Sequence, residues 1–213
     1  MESFRNADGQ IVILDMVEAI RKNAQYLSDI DGKIGDGDHG INMNKGFTMC
    51  GERLAGSTSG FSDSLKTLGR VLLAEIGGSM GPLYGTLFNE MAKTAKDKET
   101  IDAALLEQML ARALAAVVTL GNAKVGDKSM LDALSPAVDA LKAANASGAS
   151  FAEAVTRMAH AAETGRDSTK DMVSKIGRSS RLGERSRGVL DAGAASCALL
   201  LSSMAESIKK LVA

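Results

Sequence analysis

The chain has 213 residues, and its 25 lysines and arginines nearly balance its 26 aspartates and glutamates, giving a formal net charge of −1. A near-neutral chain lacks the broad positive field that attracts nucleic acid or an anionic membrane, so we expect neither as a partner. Hydrophobic residues make up 45% of the chain, enough for a sizeable core, and we expect one domain over residues 1–213.

The composition favours an all-α fold. Aromatic residues reach only 3%, proline occurs twice, and no run of alternating β-branched residues marks a strand. Cys50 and Cys197 both lie in apolar helical patterns, so we expect reduced core thiols and a cytoplasmic location. The N-terminal residues lack the apolar stretch of a signal peptide, and the longest apolar windows contain charged or serine residues, so no membrane span is predicted.

The first predicted helix, residues 11–27, leads into a short acidic loop. Three carboxylates, Asp31, Asp36 and Asp38, fall within eight residues, with glycines between them. Clustered like charges repel unless a cation lies among them, and carboxylate oxygens favour magnesium or calcium over zinc. The alternative is an ordinary glycine–aspartate turn whose side chains only cap the next helix.

Helices are next predicted over residues 39–54 and 61–76. The segment 77–86 follows, in which a glycine pair, Ser79 and a Gly-Pro step open a fourth helix. Proline suits the first helical turn, and the glycines suit an anion-binding helix start. A plain turn between two helices is the alternative.

A fifth helix is predicted over residues 101–120, with Gly121 as its stop signal and a polar loop after it. The sixth helix contains Pro136, which predicts a bend or a late start. A serine–glutamate capping box at residues 150–153 opens the seventh helix. His160 falls on an alanine-rich face of that helix, so we expect a packed rather than a catalytic histidine.

The helical pattern breaks over residues 175–193. Four arginines lie between Gly177 and Gly188, and guanidinium groups bind phosphate through paired N–H donors. The alternative, usual for a run of charge, is a solvated and mobile loop. A final helix is predicted over residues 194–212.

Eight helices joined by short connections predict an antiparallel up-and-down bundle or barrel. Alternate loops of such a bundle lie at the same end, so the loops after helices one, three, five and seven converge on one face. These are the four unusual loops, and together they predict a site for magnesium and a polyphosphate. The sequence contains no P-loop motif and no Ser/His/Asp or Cys/His nucleophile arrangement.

Four motifs occur in order in these loops: Gly35-Asp-Gly-Asp-His-Gly-Ile-Asn-Met-Asn44, Gly81-Pro-Leu-Tyr-Gly-Thr86, Gly126-Asp-Lys-Ser-Met130 and Gly183-Glu-Arg-Ser186. In this order, and over essentially the whole chain, they resemble the motifs of the nucleotide-binding L subunit of dihydroxyacetone kinase. The resemblance implies the eight-helix antiparallel barrel of that family. It also implies that the chain holds ADP or ATP through two magnesium ions, while a separate K subunit holds the ketose substrate.

The resemblance assigns roles to the residues that match its motifs. Asp31, Asp36 and Asp38 are the implied magnesium ligands. The implied nucleotide contacts are His39, Gly40, Ile41 and Asn42 at the phosphates, Ser79 and Met80 beside them, Gly121 and Met130 at the adenine, Arg178, and Asp191, Ala192 and Gly193, which close the pocket. Met80 departs from the family, which usually has a hydroxyl residue there, and a thioether cannot donate to phosphate.

The implied activity is that of a glycerone-kinase-type phosphotransferase, which acts with its K subunit on dihydroxyacetone or on another short-chain ketose such as erythrulose. No general base for the substrate hydroxyl stands out, so we expect that residue on the partner. The family uses either exchanging ATP or a permanently bound ADP that a phosphotransferase-system phosphocarrier protein rephosphorylates. The sequence leaves both modes open, as it does a homodimer.

Two further interpretations compete with the kinase subunit. One is an ADP-holding adaptor that regulates a partner such as a transcription factor. The other is a plain helical bundle with an incidental magnesium or calcium site.

Overall fold

The computed structural model describes residues 2–213, and most of these lie in eight α-helices. The helices are α1 (Gln10–Ile34), α2 (His39–Leu54), α3 (Phe61–Glu75), α4 (Met80–Ala95), α5 (Ala103–Gly121), α6 (Leu131–Ala146), α7 (Phe151–Ser168) and α8 (Ala192–Val212). Two short strands, β1 (Ser3–Arg5) and β2 (Thr100–Asp102), form an antiparallel pair. Short 3-10 helices cover Asn6–Asp8, Thr169–Asp171 and Arg178–Ser186.

The eight helices form a closed ring. Each helix packs against the next along the chain, and α8 packs back against α1. Because short connections join the helices, neighbours run antiparallel and the loops alternate between the two ends of the ring. The prediction of an all-α, eight-helix up-and-down barrel is therefore confirmed.

The inner faces of the helices share one continuous apolar core. Phe47, Phe61 and Phe88 are almost fully buried, and the rings of Phe47 and Phe88 meet edge to face with centroids 6.1 Å apart. Burying a side chain of this size stabilises the fold by about 1.5–3 kcal/mol. Cys50 and Cys197 are both free and buried in this core, as expected.

The strand pair closes one end of the ring, and the sequence did not predict it. Phe4 of β1 is paired with Ile101 of β2, and both side chains are buried. The Phe4 ring meets Phe61 of α3 edge to face at 5.4 Å and stacks on Phe151 of α7 at 6.4 Å. Strands of three residues are too short to show an alternating pattern, which explains why the sequence did not indicate them.

Several helix boundaries differ from the predicted ones. Helix α1 continues to Ile34, so Asp31 lies in its last turn. Gly121 is the last residue of α5, and the left-handed stop position belongs instead to Asn122, with φ 46°.

His160 is exposed on α7, so the expectation of a packed histidine is wrong.

Helix α5 is long and apolar enough to cross a membrane by length and composition, and it is the single such helix within residues 2–213. This is weak evidence, because core helices of soluble proteins meet the same criterion. Five residues of α5, including Leu106 and Leu110, are buried in the ring.

A close contact between α6 and α7 accommodates Pro136. Proline has no N–H to donate to the carbonyl of Asp132, four residues earlier in α6. Gly165 of α7 packs against that carbonyl so closely that a Cβ atom at position 165 would lie 2.0 Å from its oxygen. Helix α6 continues through the proline, and Gly165 packs against the carbonyl that Pro136 leaves without a helical donor.

We predict that Gly165→Ala lowers the free energy of unfolding by about 1–3 kcal/mol, the usual cost of forcing extra volume into a packed contact. Urea denaturation measures this change. Gly32→Ala in α1 is the matched control, because its Cβ would meet no atom closer than 3.8 Å. That control should be neutral, or stabilising by up to about 1 kcal/mol; equal losses in the two variants would contradict the packing argument.

Candidate functional site

The loops after α1, α3, α5 and α7 line one pocket of about 780 Å³ at the end of the ring away from the strand pair. A wider groove of about 1130 Å³ runs beside α3 and α4 and is lined largely by exposed charged and polar residues. None of the predicted site residues lines that groove, so the smaller pocket is the candidate functional site.

Most of the predicted site residues lie together at this pocket. Its lining includes Asp31, Asp36, Asp38, His39, Asn42, Ser79, Met80, Gly121, Met130, Arg178, Asp191, Ala192 and Gly193. Gly40 and Ile41 do not line it. Gly40 is buried against α1, and the Ile41 side chain is 66% exposed.

Asp31, Asp36 and Asp38, which we call the acidic trio, meet at the bottom of the first loop. One carboxylate oxygen of each lies within 4.8 Å of those of the other two. Gly37 between them has φ 77°, a left-handed conformation that glycine adopts without strain and that brings Asp36 and Asp38 back towards the end of α1.

The residues of the acidic trio fit a divalent cation. Asp31 Oδ2 is buried, and no hydrogen-bond partner for it exists among residues 2–213. A buried charged oxygen without a donor is costly, and three converging carboxylates add mutual repulsion. A hard cation with oxygen ligands would relieve both costs, which makes magnesium or calcium the matching ion.

Arg178 contacts the acidic trio from the opposite side of the pocket. Its guanidinium forms an ion pair with Asp36, although 64% of the Arg178 side chain is exposed. The arginine-rich segment is thus folded over the site, where its first arginine can meet either a carboxylate or a phosphate.

The start of α2 lies beside the acidic trio because α1 and α2 are in very close contact. A Cβ atom on Gly40 would come within 1.9 Å of the carbonyl oxygen of Ala24 in α1. Only glycine permits this approach, which places His39 and Asn42 in the pocket. The first N–H groups of a helix have no partner within the helix, so this end can bind an anion.

A buried hydrogen-bond chain supports His39. Its Nε2 lies 2.9 Å from Ser196 Oγ, and Ser196 Oγ lies 2.6 Å from the Tyr84 hydroxyl, which also donates to the Gly193 carbonyl. Desolvation lowers the pKa of His39 to about 4, against the opposing effect of the Asp31 carboxylate, so the imidazole is neutral at pH 7. Sequence reasoning included Tyr84 as part of the motif at residues 81–86 and did not single out Ser196.

Ser79 and Met80 begin α4 at the pocket wall. The Ser79 side chain makes no capping hydrogen bond to the helix, so its hydroxyl is available to a ligand. Met80 is 9% exposed and offers only a thioether, which leaves Ser79 and backbone amides as the donors of this loop.

The loop between α5 and α6 is held by buried charges that sequence reasoning missed. The Asp132 carboxylate accepts hydrogen bonds from the amides of Gly126 and Ser129, at 2.5 and 2.7 Å. Lys128 is 1% exposed and donates to three backbone carbonyls. The Gly-Asp-Lys-Ser motif was the available signal, but a charged motif does not reveal that its lysine is buried.

Asp191 closes the pocket at the start of α8. Its Oδ2 accepts the Ala194 amide at 2.7 Å, a helix-capping bond, while its own amide donates to Thr169 Oγ1. Desolvation raises the pKa of Asp191 to about 7, although the hydrogen bond from Ala194 opposes this shift.

Comparisons with known proteins place these features in a family. The DAK2 domain family model matches residues 33–206. The chain is 39% identical to a Listeria innocua protein described as PEP-dependent dihydroxyacetone kinase 1, ADP-binding subunit DhaL, over 91% of this chain and 92% of the relative. Identity with the corresponding ADP-binding subunit of Escherichia coli is 36%, over 88% and 90% of the two chains. A D-erythrulose kinase of Mycolicibacterium smegmatis is 35% identical over 91% of this chain, which spans 34% of that enzyme.

Solved structures show the same fold. The dihydroxyacetone kinase of C. freundii superimposes with a TM-score of 0.74 over 97% of this chain, at 22% identity, and this chain spans 36% of that one. A second structure of that kinase, in complex with AMP-PNP and Mg²⁺, gives a TM-score of 0.72 at the same identity.

We predict that Asp191→Asn removes a pH-dependent loss of stability. Between the usual aspartate pKa of 3.8 and about 7, the folded wild type retains a proton that the unfolded chain has lost. Ionisation of Asp191 in the unfolded chain therefore lowers the free energy of unfolding of the wild type as pH rises through this window. Below pH 3.8 both states keep the proton, and Asp191 no longer changes the stability. Asparagine keeps the cap oxygen but cannot ionise. Denaturation at several pH values should show the stability of Asp191→Asn increasing relative to wild type from pH 4 to 7, and a constant difference would contradict this.

Proposed function

Because the chain belongs to the DAK2 domain family, we propose that it is the nucleotide-binding subunit of a dihydroxyacetone-type kinase. Residues 1–213 act as one domain that holds ADP or ATP with magnesium. One observation carries the proposal: the acidic trio lies in the same pocket as glycine-rich helix starts and an arginine-rich segment. The relatives described as ADP-binding subunits, matched over 92% and 90% of their length, support it.

Asp31, Asp36 and Asp38 would hold two magnesium ions in this function. Bound magnesium neutralises the negative charge on the phosphoryl group that is transferred. Three carboxylates would offer the hard oxygen ligands that magnesium prefers. The partnerless Oδ2 of Asp31 supplies one such oxygen from the last turn of α1.

The phosphates would lie between the start of α2 and Arg178. The first turn of α2 has no side-chain cap, so its N–H groups are open to an anion, and the Ser79 hydroxyl makes no capping bond in α4. Arg178 would leave Asp36 and bind a phosphate through its guanidinium, since the metal would then neutralise the carboxylate. These groups orient the nucleotide and stabilise charge, which is most of what phosphoryl transfer requires of a protein.

The adenine would occupy the more apolar side of the pocket. Gly121 and Met130 line it, together with Leu83 and Leu120. Gly121 has no side chain to obstruct a flat ring, and Met130 is a flexible, polarisable surface for it. The nucleotide would thus lie with its base between α4 and the α5–α6 loop and its phosphates at the acidic trio.

The ketose and the base that activates its hydroxyl would belong to a separate K subunit. His39 is hydrogen-bonded to Ser196, and the carboxylates at the pocket mouth would bind metal or cap α8, so none of these groups is free to act as the base. A phosphocarrier protein of the phosphotransferase system would rephosphorylate bound ADP, as the descriptions of PEP- and PTS-dependent relatives suggest. We place this activity in the cytoplasm, where the free, buried thiols stay reduced.

A second ketose is the specific alternative. Relatives that act on D- or L-erythrulose share 30–35% identity with this chain over 88–91% of its length. Assaying the chain with its K partner, a phosphoryl donor and either ketose distinguishes the two. A complex that turns over neither ketose, while the chain still binds ADP, would favour the regulatory adaptor.

We predict that wild-type protein binds ADP in a magnesium-dependent manner and that Asp36→Asn weakens this binding at least about tenfold, since it removes a metal-ligand charge. Isothermal titration calorimetry with and without magnesium measures both effects. Asp29→Asn is the control, because Asp29 is exposed on α1 close to Asp31 but lies outside the acidic trio. Magnesium-independent binding by the wild type would remove the proposed function, and unchanged affinity in Asp36→Asn would refute the ligand assignment.

A further inference from the structure

The segment 172–190, which connects α7 to α8 and carries Arg178, is held internally by short-range serine hydrogen bonds, such as those of Ser174 with Ser186 and Ser179. Its one regular element is the 3-10 helix Arg178–Ser186, which is interrupted at Gly183. Glycines 177, 183 and 188 all have positive φ, so three flexible positions interrupt the segment. The serine bonds join neighbouring parts of the segment to one another, so a fixed position over the binding site also calls for fastening to the rest of the protein.

Lys128, in the α5–α6 loop, provides that fastening. Its ammonium donates to the carbonyls of Met172, Ser186 and Val189, at 3.1, 2.6 and 2.6 Å. Met172 precedes the 3-10 helix, whereas Ser186 and Val189 lie at its end and beyond it. One side chain therefore joins the two ends of the arginine-bearing segment and ties both to the loop that carries Met130.

The geometry distinguishes this lysine from a phosphate-binding one. An ammonium group has three N–H donors, and all three have carbonyl acceptors here. Lys128 lines the pocket wall but is only 1% exposed, so no donor is left for a nucleotide. Its action on a bound phosphate is indirect.

The backbone around Lys128 is built for this role. Lys128 has φ 65°, a left-handed conformation that is unfavourable for a residue with a Cβ atom. The Asp132 carboxylate fixes the amides on both sides of it, at Gly126 and Ser129. Strain that is held in place by surrounding bonds is characteristic of positions that serve a site.

We propose that Lys128 is a positioning residue, which clamps segment 172–190 against the α5–α6 loop and so holds Arg178 over the nucleotide site. This deepens the proposed function and rests on it. Other contacts along the segment act in the same direction: Lys175 donates its amide to the Asp127 carbonyl, and Ser174 donates its amide to Ser186 Oγ.

A double-mutant cycle in magnesium-dependent ADP affinity tests the clamp. Lys128→Met alone should weaken binding about tenfold, equivalent to about 1.4 kcal/mol. In an Arg178→Gln background the same change should cost less than about threefold, because the arginine that the clamp positions is already gone. Equal losses in both backgrounds would overturn the proposal. Lys124→Met, an exposed lysine in the same loop, is the charge-matched control and should bind as wild type does.

Limited digestion with trypsin tests the clamp without any nucleotide. The segment contains cleavage sites at Lys175 and at Arg178, Arg181, Arg185 and Arg187. Lys128→Met should be cut there faster than wild type or Lys124→Met, while the helices stay intact. Unchanged cleavage of the segment would overturn the proposal. If wild-type protein binds no ADP, the proposed function fails, and this digestion still decides whether Lys128 holds the segment.

If Lys128→Met does not fold, the chemical reactivity of Lys128 in the wild-type protein tests the clamp. Acetylation of wild-type protein followed by peptide mass spectrometry should leave Lys128 unreacted when Lys124 is fully modified. Equal reaction at the two lysines would overturn the clamp. Lys128→Gln, which retains two donors, then replaces Lys128→Met in the cycle and should show a smaller loss of the same origin.

Discussion

Repulsion among three carboxylates is the constraint around which the site is built. Asp31, Asp36 and Asp38 bring ligand oxygens within 4.8 Å of one another, and one of those carboxylates has a buried oxygen without a donor. Positive charge nearby relieves this repulsion and the cost of the buried oxygen. In this structure Arg178 supplies part of that charge, and the neighbouring start of α2 has N–H groups without a side-chain cap.

The closed ring of helices brings the acidic trio into one pocket with three other loops. Because α1 to α8 alternate in direction, every second connection reaches the same end, and four loops with different chemistry share one pocket. Close helix contacts then set the detail, as where Gly40 lets α2 begin against α1. The strand pair at the other end, with Phe4 packed on two helices, closes the core without occupying the site.

Much of this arrangement could be predicted from the sequence. Helical periodicity predicted the eight helices, the alternation of loops predicted that the acidic trio and the arginines share one face, and the motifs indicated the family that the comparisons confirmed. Local pattern carries this information, since each helix shows its own apolar face. The assignment of individual residues to metal and nucleotide stays a prediction.

The sequence could not reveal contacts that depend on distant partners. From the sequence alone, Lys128 would be assigned to the surface. Its acceptors at Met172, Ser186 and Val189 lie more than forty positions further along the chain. Ser196 reads as a small helical residue until His39 and Tyr84 meet it. Ile41 was an implied nucleotide contact, and His160 was expected to be packed. Both side chains are exposed in the folded protein.

In the proposed function, the acidic trio binds the metal that holds a nucleotide. A crystal structure of the protein with ADP and Mn²⁺, which replaces Mg²⁺ and scatters anomalously, would show this binding. We expect two anomalous peaks coordinated by Asp31, Asp36 and Asp38, with the ADP phosphates reaching towards the start of α2. ADP bound elsewhere, or a pocket whose carboxylates hold no metal when ADP is present, would contradict it.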